Sequence, residues 1–176
     1  AINNIEILLT FNINVNNKNK NYCSIDGNLY TNDRKQLIQY AIGKKDESFI
    51  IPDTVTSLGD YTFRYCQNLT SVTISKSVIE IKDSPFYECS NLINIIVDSE
   101  NKNYCSINGN LYTKDRKQLI QYAIGKKDES FIIPNTVEII GEWAFSKCNN
   151  LRSIIIPGKV TTIKYGAFCR CTNLTS

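Results

Sequence analysis

Methionine and histidine are absent from this 176-residue chain. Without histidine there is no Ser–His or Cys–His nucleophile system and no imidazole general base. Phosphate loops are missing too, because Gly43-Lys44-Lys45 and Gly125-Lys126-Lys127 lack the second glycine such a loop needs. No apolar run approaches the length of a membrane span, so no membrane insertion is expected of this segment. The apolar opening Ile2–Phe11 carries Glu6 and has no basic start, so no signal peptide is visible. Charge of a single sign is also lacking. The net charge is +3, and basic residues alternate with acidic ones, as in Lys44-Lys45-Asp46-Glu47. A nucleic-acid footprint needs a one-signed patch, which argues against nucleic acid as a partner. What is left is an ordinary globular composition, 42% hydrophobic and 21% charged, in a length that fits one domain. The missing initiator methionine leads us to expect that translation starts upstream of residue 1.

What the chain does have is repetition. Asn19–Val55 and Asn101–Val137 are 37-residue segments that differ only at Asp26/Asn108, Asn32/Lys114 and Asp53/Asn135. The 82-residue offset continues outside them, mapping Phe63 to Phe145, Cys66 to Cys148, Leu69 to Leu151 and Ile74 to Ile156. A shorter period of 23 lies inside. Val55, Leu58, Phe63, Cys66, Leu69, Val72 and Ile74 recur as Val78, Ile81, Phe86, Cys89, Leu92, Ile95 and Val97. The pattern returns from Val137 and again from Val160. Anchors at Val15, Ile51, Ile74, Val97, Ile133 and Ile156 are spaced 36, 23, 23, 36 and 23 residues apart.

A period of 20–29 with L-x-x-L-x-L spacing fits a leucine-rich repeat, and here the box reads Leu69-Thr70-Ser71-Val72-Thr73-Ile74. Alternation predicts a short strand with Val72 and Ile74 inward and Ser71 and Thr73 outward. Upstream, Gly59–Cys66 reads as one or two helical turns whose Phe63 and Cys66, three apart, share a face. The expected fold class is therefore a right-handed leucine-rich-repeat solenoid, mostly β, with a strand and a short helical turn per repeat. It is one domain, 1–176, with super-repeats at about 15–97 and 97–176. Six strands are expected on its concave side, centred near Ile13, Phe49, Val72, Ile95, Phe131 and Ile154. Phe63, Phe86, Phe145 and Phe168 should form one buried column. The longer step adds a predicted β-hairpin, Asn28–Thr31 with Gln36–Tyr40, and its twin runs from Asn110 to Tyr122; both ribbons should protrude on one side.

These residues carry a family resemblance. IPDTVTSLGDYTFRYCQNLTSVTI and IPNTVEIIGEWAFSKCNNLRSIIIPGKVTTIKYGAFCRC resemble the BspA-like leucine-rich repeats, also named after a treponemal repeat protein. The insertion SIDGNLYTNDRKQLIQYAIGKKDESFIIP is similar to a hairpin-bearing unit of that class. The resemblance runs from about Leu9 onward, although Ser84-Pro85 replaces the usual small pair before Phe86 and the first repeat lacks its Phe and Cys. It implies a surface protein of mucosal bacteria or parasitic protists, extracellular or cell-surface in location, engaged in adhesion to matrix proteins or in cell aggregation.

Cys66, Cys89, Cys148 and Cys171 share one repeat position and read as a ladder of free thiols acting as small apolar residues. No C-x-x-C pair or histidine offers a metal-site spacing, so no metal and no cofactor is expected. Asp46-Glu47 and Asp128-Glu129 read as solvated charged loops. Asn68-Leu69-Thr70 and Asn173-Leu174-Thr175 match the glycan acceptor pattern but sit beside a core leucine. Surface remains as the place for function. The candidate binding face on the concave side comprises Ser48, Ser71, Asn94, Ser130 and Ser153 in one row and Ile50, Thr73, Ile96, Ile132 and Ile155 in the next. β-branched residues also suit strands for packing reasons alone. Three readings follow: a non-catalytic adhesion module for a protein ligand, a structural spacer, and a carbohydrate-binding module. The last requires the hairpin tyrosines Tyr30, Tyr40, Tyr112 and Tyr122 to be exposed. At the carboxy end the repeat calls for another strand after Leu174. We therefore expect a piece of a longer array that self-associates through that edge.

Overall fold

A computed structural model describes residues 12–175. In chain order the first super-repeat contains β1 (Tyr22–Ile25), β2 (Asn28–Thr31), β3 (Gln36–Gln39), β4 (Ser48–Ile50), β5 (Ser57–Leu58), β6 (Ser71–Ile74), β7 (Glu80–Ile81) and β8 (Asn94–Val97). The second contains β9 (Tyr104–Ile107), β10 (Asn110–Thr113), β11 (Gln118–Gln121), β12 (Ser130–Ile132), β13 (Ile139–Ile140), β14 (Ser153–Ile155) and β15 (Thr162–Ile163). Each 23-residue turn of this solenoid thus has a main strand and a two-residue minor strand. Residues 23 apart pair in parallel: Ser48 with Ser71 and Ser71 with Asn94, Phe49 with Val72 and Val72 with Ile95. Alternation then buries every second side chain, and β6 is half-buried at Ser71 and Thr73 but buried at Val72 and Ile74.

The main strands do not form one sheet. β4, β6 and β8 make a three-stranded sheet and β12 with β14 a two-stranded one. Of the six expected strands five are present; Ile13 lies outside any strand, its amide donating to the Gly27 carbonyl at 2.8 Å. The interruption comes from the long step. There the minor position is occupied by an antiparallel meander, β9-β10-β11, whose last strand pairs in parallel with β13. The hairpins exist but do not protrude. β3 and β11 take the minor-strand position, and Leu37, Tyr40, Leu119 and Tyr122 are buried in the wall. β1 and β9 are strands that the periodicity left unread. They join their partners through Asp26-Gly27 and Asn108-Gly109, all four residues at positive φ between 48° and 76°, as a two-residue primed hairpin turn requires.

The expected helical turns are not helices. Arg64 donates to the Tyr61 carbonyl at 2.9 Å and Cys66 to that of Phe63 at 3.1 Å, three-residue turns that never propagate. Tyr61 and Tyr65 have left-handed φ of 55° and 59°, and the equivalents Trp143 and Lys147 53° and 61°. The reason is competition for donors. The amides of Phe63 and Tyr65 are taken by the carbonyls of Pro85 and Tyr87 in the next turn, at 2.8 and 3.0 Å. Stacking between turns thereby outbids an i to i−4 ladder of at most two bonds, since a helix that short has not repaid its nucleation.

The core divides in two. Tyr40, Phe63 and Phe86 stack at 5.5 and 5.1 Å between ring centres, and Tyr122, Phe145 and Phe168 at 5.2 and 5.2 Å. The expected column of four phenylalanines is two stacks of three, each begun by a hairpin tyrosine. The cysteine ladder runs beside them: Cys66, Cys89 and Cys148 are buried, Cys171 half-buried, and all are free thiols. The Cys89 thiol donates to the Phe63 carbonyl at 2.8 Å and that of Cys171 to Phe145 at 3.0 Å.

Candidate protein-binding face

The ten candidate residues lie on the outer side of the main strands, where the pleat sends alternate side chains to solvent. In the three-stranded sheet, Ser48, Ser71 and Asn94 are cross-strand neighbours, as are Ile50, Thr73 and Ile96. In the two-stranded sheet Ser130 meets Ser153 and Ile132 meets Ile155. The structure thus brings six together on one sheet and four on another. The isoleucines are the prominent feature: Ile50 is 70% exposed, Ile132 67%, Ile155 56% and Ile96 40%. None of the ten residues is titratable. This face can bind by apolar contact and hydroxyl or amide hydrogen bonds, and it has no group with which to activate a nucleophile.

The loop leading into β4 is less passive than its sequence suggested. The Lys44 ammonium lies 5.1 Å from the centre of the Tyr40 ring, donates to the Asp26 carbonyl at 3.1 Å and pairs with the Asp46 carboxylate at 3.1 Å. The Tyr40 hydroxyl donates to the same carboxylate at 3.1 Å. Hydrogen bonds from Lys44 and Tyr40 hold the Asp46 carboxyl below the ordinary aspartate range, while burial and Asp46 push the Tyr40 phenol up. The cluster recurs as Tyr122, Lys126 and Asp128, with the Lys126 ammonium on the Asn108 carbonyl. Burial pulls the Lys126 ammonium below its usual value. Lys44 and Lys126, each half-buried, therefore clasp the hairpin tip to the solenoid, while Asp46-Glu47 and Asp128-Glu129 are exposed, as the solvated-loop reading expects.

Other candidates are explained by packing. Tyr30, Tyr40, Tyr112 and Tyr122 are each 1–2% exposed, so no hairpin tyrosine offers a ring face to a sugar. Asn68 and Asn173 belong to a ladder with Asn91 and Asn150, each side-chain amide donating to a carbonyl of the preceding turn at 2.6–2.7 Å. A glycan on Asn68 or Asn173 would occupy the nitrogen that makes this bond. Among the described residues no group of three or more Cys, Asp or Glu is placed to hold a metal ion. Among the same described residues no helix is long and apolar enough to cross a membrane.

One surface array was not read from the sequence. Tyr61, Tyr87, Trp143 and Tyr165 pack edge to face along the turns at 5.9, 5.2 and 5.2 Å. The Tyr87–Trp143 contact crosses the long step. Beside it Glu88 accepts from Lys147 at 2.6 Å, across 59 residues of sequence. The sequence carries no single period for it: Tyr61 and Trp143 stand two places before Phe63 and Phe145, Tyr87 follows Phe86, and Tyr165 stands three places before Phe168.

The comparisons with known proteins agree with this geometry. The model of the BspA type leucine rich repeat region matches residues 41–118 and 122–176, in six copies. A leucine-rich repeat protein from Eubacterium ventriosum ATCC 27560 superposes with a TM-score of 0.76 at 31% identity, over 85% of this chain and 48% of that one. The chain thus spans about half the length of that protein. The pneumococcal vaccine antigen PcpA shares the fold at a TM-score of 0.68 and 21% identity, over 81% of this chain and 42% of its own. No curated protein matches the sequence. With most of its length inside the family's repeat model and a strand, turn and stacked aromatic recurring along it, the chain belongs to the BspA-type leucine-rich repeat proteins.

Proposed function

We propose that the chain is a segment of a non-catalytic, cell-surface adhesion module whose strand face binds a protein ligand. The observation that supports this reading is the uncharged face itself. Ile50, Ile96, Ile132 and Ile155 stand exposed at one register position of four of the five main strands, Thr73 holding it in β6, framed by Ser48, Ser71, Asn94, Ser130 and Ser153. Apolar side chains in water at a repeated position leave about 25 cal/mol per Å² unclaimed, and a protein partner recovers it. The extracellular location follows from the adhesion role and the repeat class. The spacer reading shares the fold but leaves these isoleucines without a task.

The test is a screen of immobilised extracellular-matrix proteins, comparing the wild-type chain with the pair Ile132→Asp and Ile155→Asp. Binding that falls at least tenfold in the variants, with unchanged thermal melts, is the expected result. Equal binding by both proteins moves the site elsewhere, and no binding by either favours the spacer.

A further inference from the structure

We infer that the unpaired edge of β12 is a slot for an extended segment of a partner polypeptide, which docks by adding a strand. This goes beyond the face described above and rests on that reading only in sharing Ser130 and Ile132.

In a parallel ladder successive residues turn their N–H and C=O groups to opposite sides of the strand. Towards β14, β12 uses the Glu129 carbonyl, which accepts from Arg152 and Ser153 at 2.8 and 3.2 Å, and the amide of Ile133, which donates to Ile155 at 3.0 Å. This phase points the backbone groups of Ser130 and Ile132 the other way. Among the described residues nothing pairs with them, and no strand except β14 lies beside β12. The contrast with β8 is direct. Its outer edge carries the alternate residues, Ile95 and Val97, and is closed, Ile95 donating to the Gly109 carbonyl at 2.9 Å and Val97 to the Ser106 hydroxyl at 3.3 Å. The long step thus seals one side of the break between the two sheets with its hairpin and leaves the other side open. The open side is also the more exposed: Ile132 stands at 67% and Ile96 on β8 at 40%. The duplication repeats the arrangement. Ser48 and Ile50 of β4 point away from β6 in the same phase, with Ile50 at 70% and no described residue paired to them.

The chemistry names the occupant. A row of alternating backbone donors and acceptors is met by another extended backbone, the recurring mode in which a peptide joins a sheet edge. A bare edge is otherwise a liability that proteins cover or charge, and neither Ser130 nor Ile132 is charged. The side chain opposite Ile132 is expected to be uncharged, as Thr73 opposite Ile50 and Ile155 opposite Ile132 are in the paired strands.

The probe is a peptide copying Leu69–Ser75, an uncharged strand that pairs on both edges in this fold. Amide hydrogen exchange of the full chain is read with and without it. The expected result is at least tenfold slowing at Ser130 and Ile132 and no change at Phe131. Slowing is expected to vanish when alternate peptide nitrogens are methylated. Ile132→Pro removes only the outward-facing N–H, a substitution strand edges tolerate. It should fold, by an unchanged melt, and lose the slowing at Ser130; if it does not fold, the methylated peptide alone decides. Unchanged exchange, or Ser130 and Ile132 amides already slow in the free chain, overturns the slot but leaves the isoleucine face intact. Slowing that grows with protein concentration in the absence of peptide shows a second copy in the slot and overturns the partner assignment.

Discussion

Single residues in this protein are read through their place in the repeat. The cysteines show it well. Seven thiols invite a disulfide or metal reading, yet four occupy one position of successive turns and serve as small apolar groups. Their differences come from depth. Burial pushes the Cys148 and Cys89 thiols far up, whereas hydrogen bonding with Cys148 pulls that of half-buried Cys171 down to about 7. We predict that iodoacetamide labels Cys171 in the native chain, with a rate that rises through pH about 7, and leaves Cys66, Cys89 and Cys148 unlabelled until urea unfolds it. Peptide mass mapping reads this directly. Early labelling of Cys148 would mean that the ladder is open.

At the scale of elements, the hairpin is where reading and structure part most. The tip Asn108-Gly109 closes the edge of β8, and Gly109 sits there at φ 74°. A Cβ on Gly109 would lie 2.9 Å from the Asn94 side chain and 3.0 Å from the Ile93 carbonyl. Gly109→Ala is therefore expected to cost about 1–2 kcal/mol for the left-handed conformation alone and to speed exchange of the Ile95 amide, which loses its acceptor when the tip shifts. The loop clasp gives a second expectation. Asp46 has its folded pKa depressed by Lys44 and Tyr40. Its contribution is present above the unfolded value and is lost as pH falls through the folded one. Melts should drop more steeply below about pH 4 in the wild type than in Asp46→Asn, because the variant has no carboxylate to protonate. Parallel pH curves would remove the clasp from the stability of this loop.

The whole molecule is a stack in which each turn touches its neighbours. Its two aromatic stacks, Tyr40–Phe63–Phe86 and Tyr122–Phe145–Phe168, meet across the long step through Tyr87 with Trp143 and Glu88 with Lys147. Phe145 is fully buried, so Phe145→Ala should cost about 3–5 kcal/mol. In a nearest-neighbour stack the loosening stays local. Amide exchange should rise around Tyr122 and Phe168 and little around Phe63; Phe63→Ala should do the reverse. Uniform acceleration over the chain in either variant would show one cooperative unit in place of two.

The repeat period, the inward set and the outward set were legible in the sequence by itself, because a period of 23 with alternation at Ser71–Ile74 leaves one way to bury Val72 and Ile74. The ten candidate face residues follow from that same alternation and needed no coordinates to name. Phe63, Phe86 and the cysteines were readable for the same reason: a position that recurs in every turn is a position that stacks. What recurs once per super-repeat was only partly readable. The hairpin residues were visible, but whether the ribbon stands out or replaces a minor strand depends on β3 pairing with β5 and β11 with β13, contacts between turns that no local pattern encodes. The turns before Cys66 looked helical because Phe and Cys three apart suit a helix; the neighbouring turn's carbonyls take those amides first. The break between β8 and β12 likewise exists only in three dimensions. The outward backbone groups of β8 are sealed by Gly109 and those of β12 are left bare, because only tertiary packing decides which edge the hairpin tip reaches.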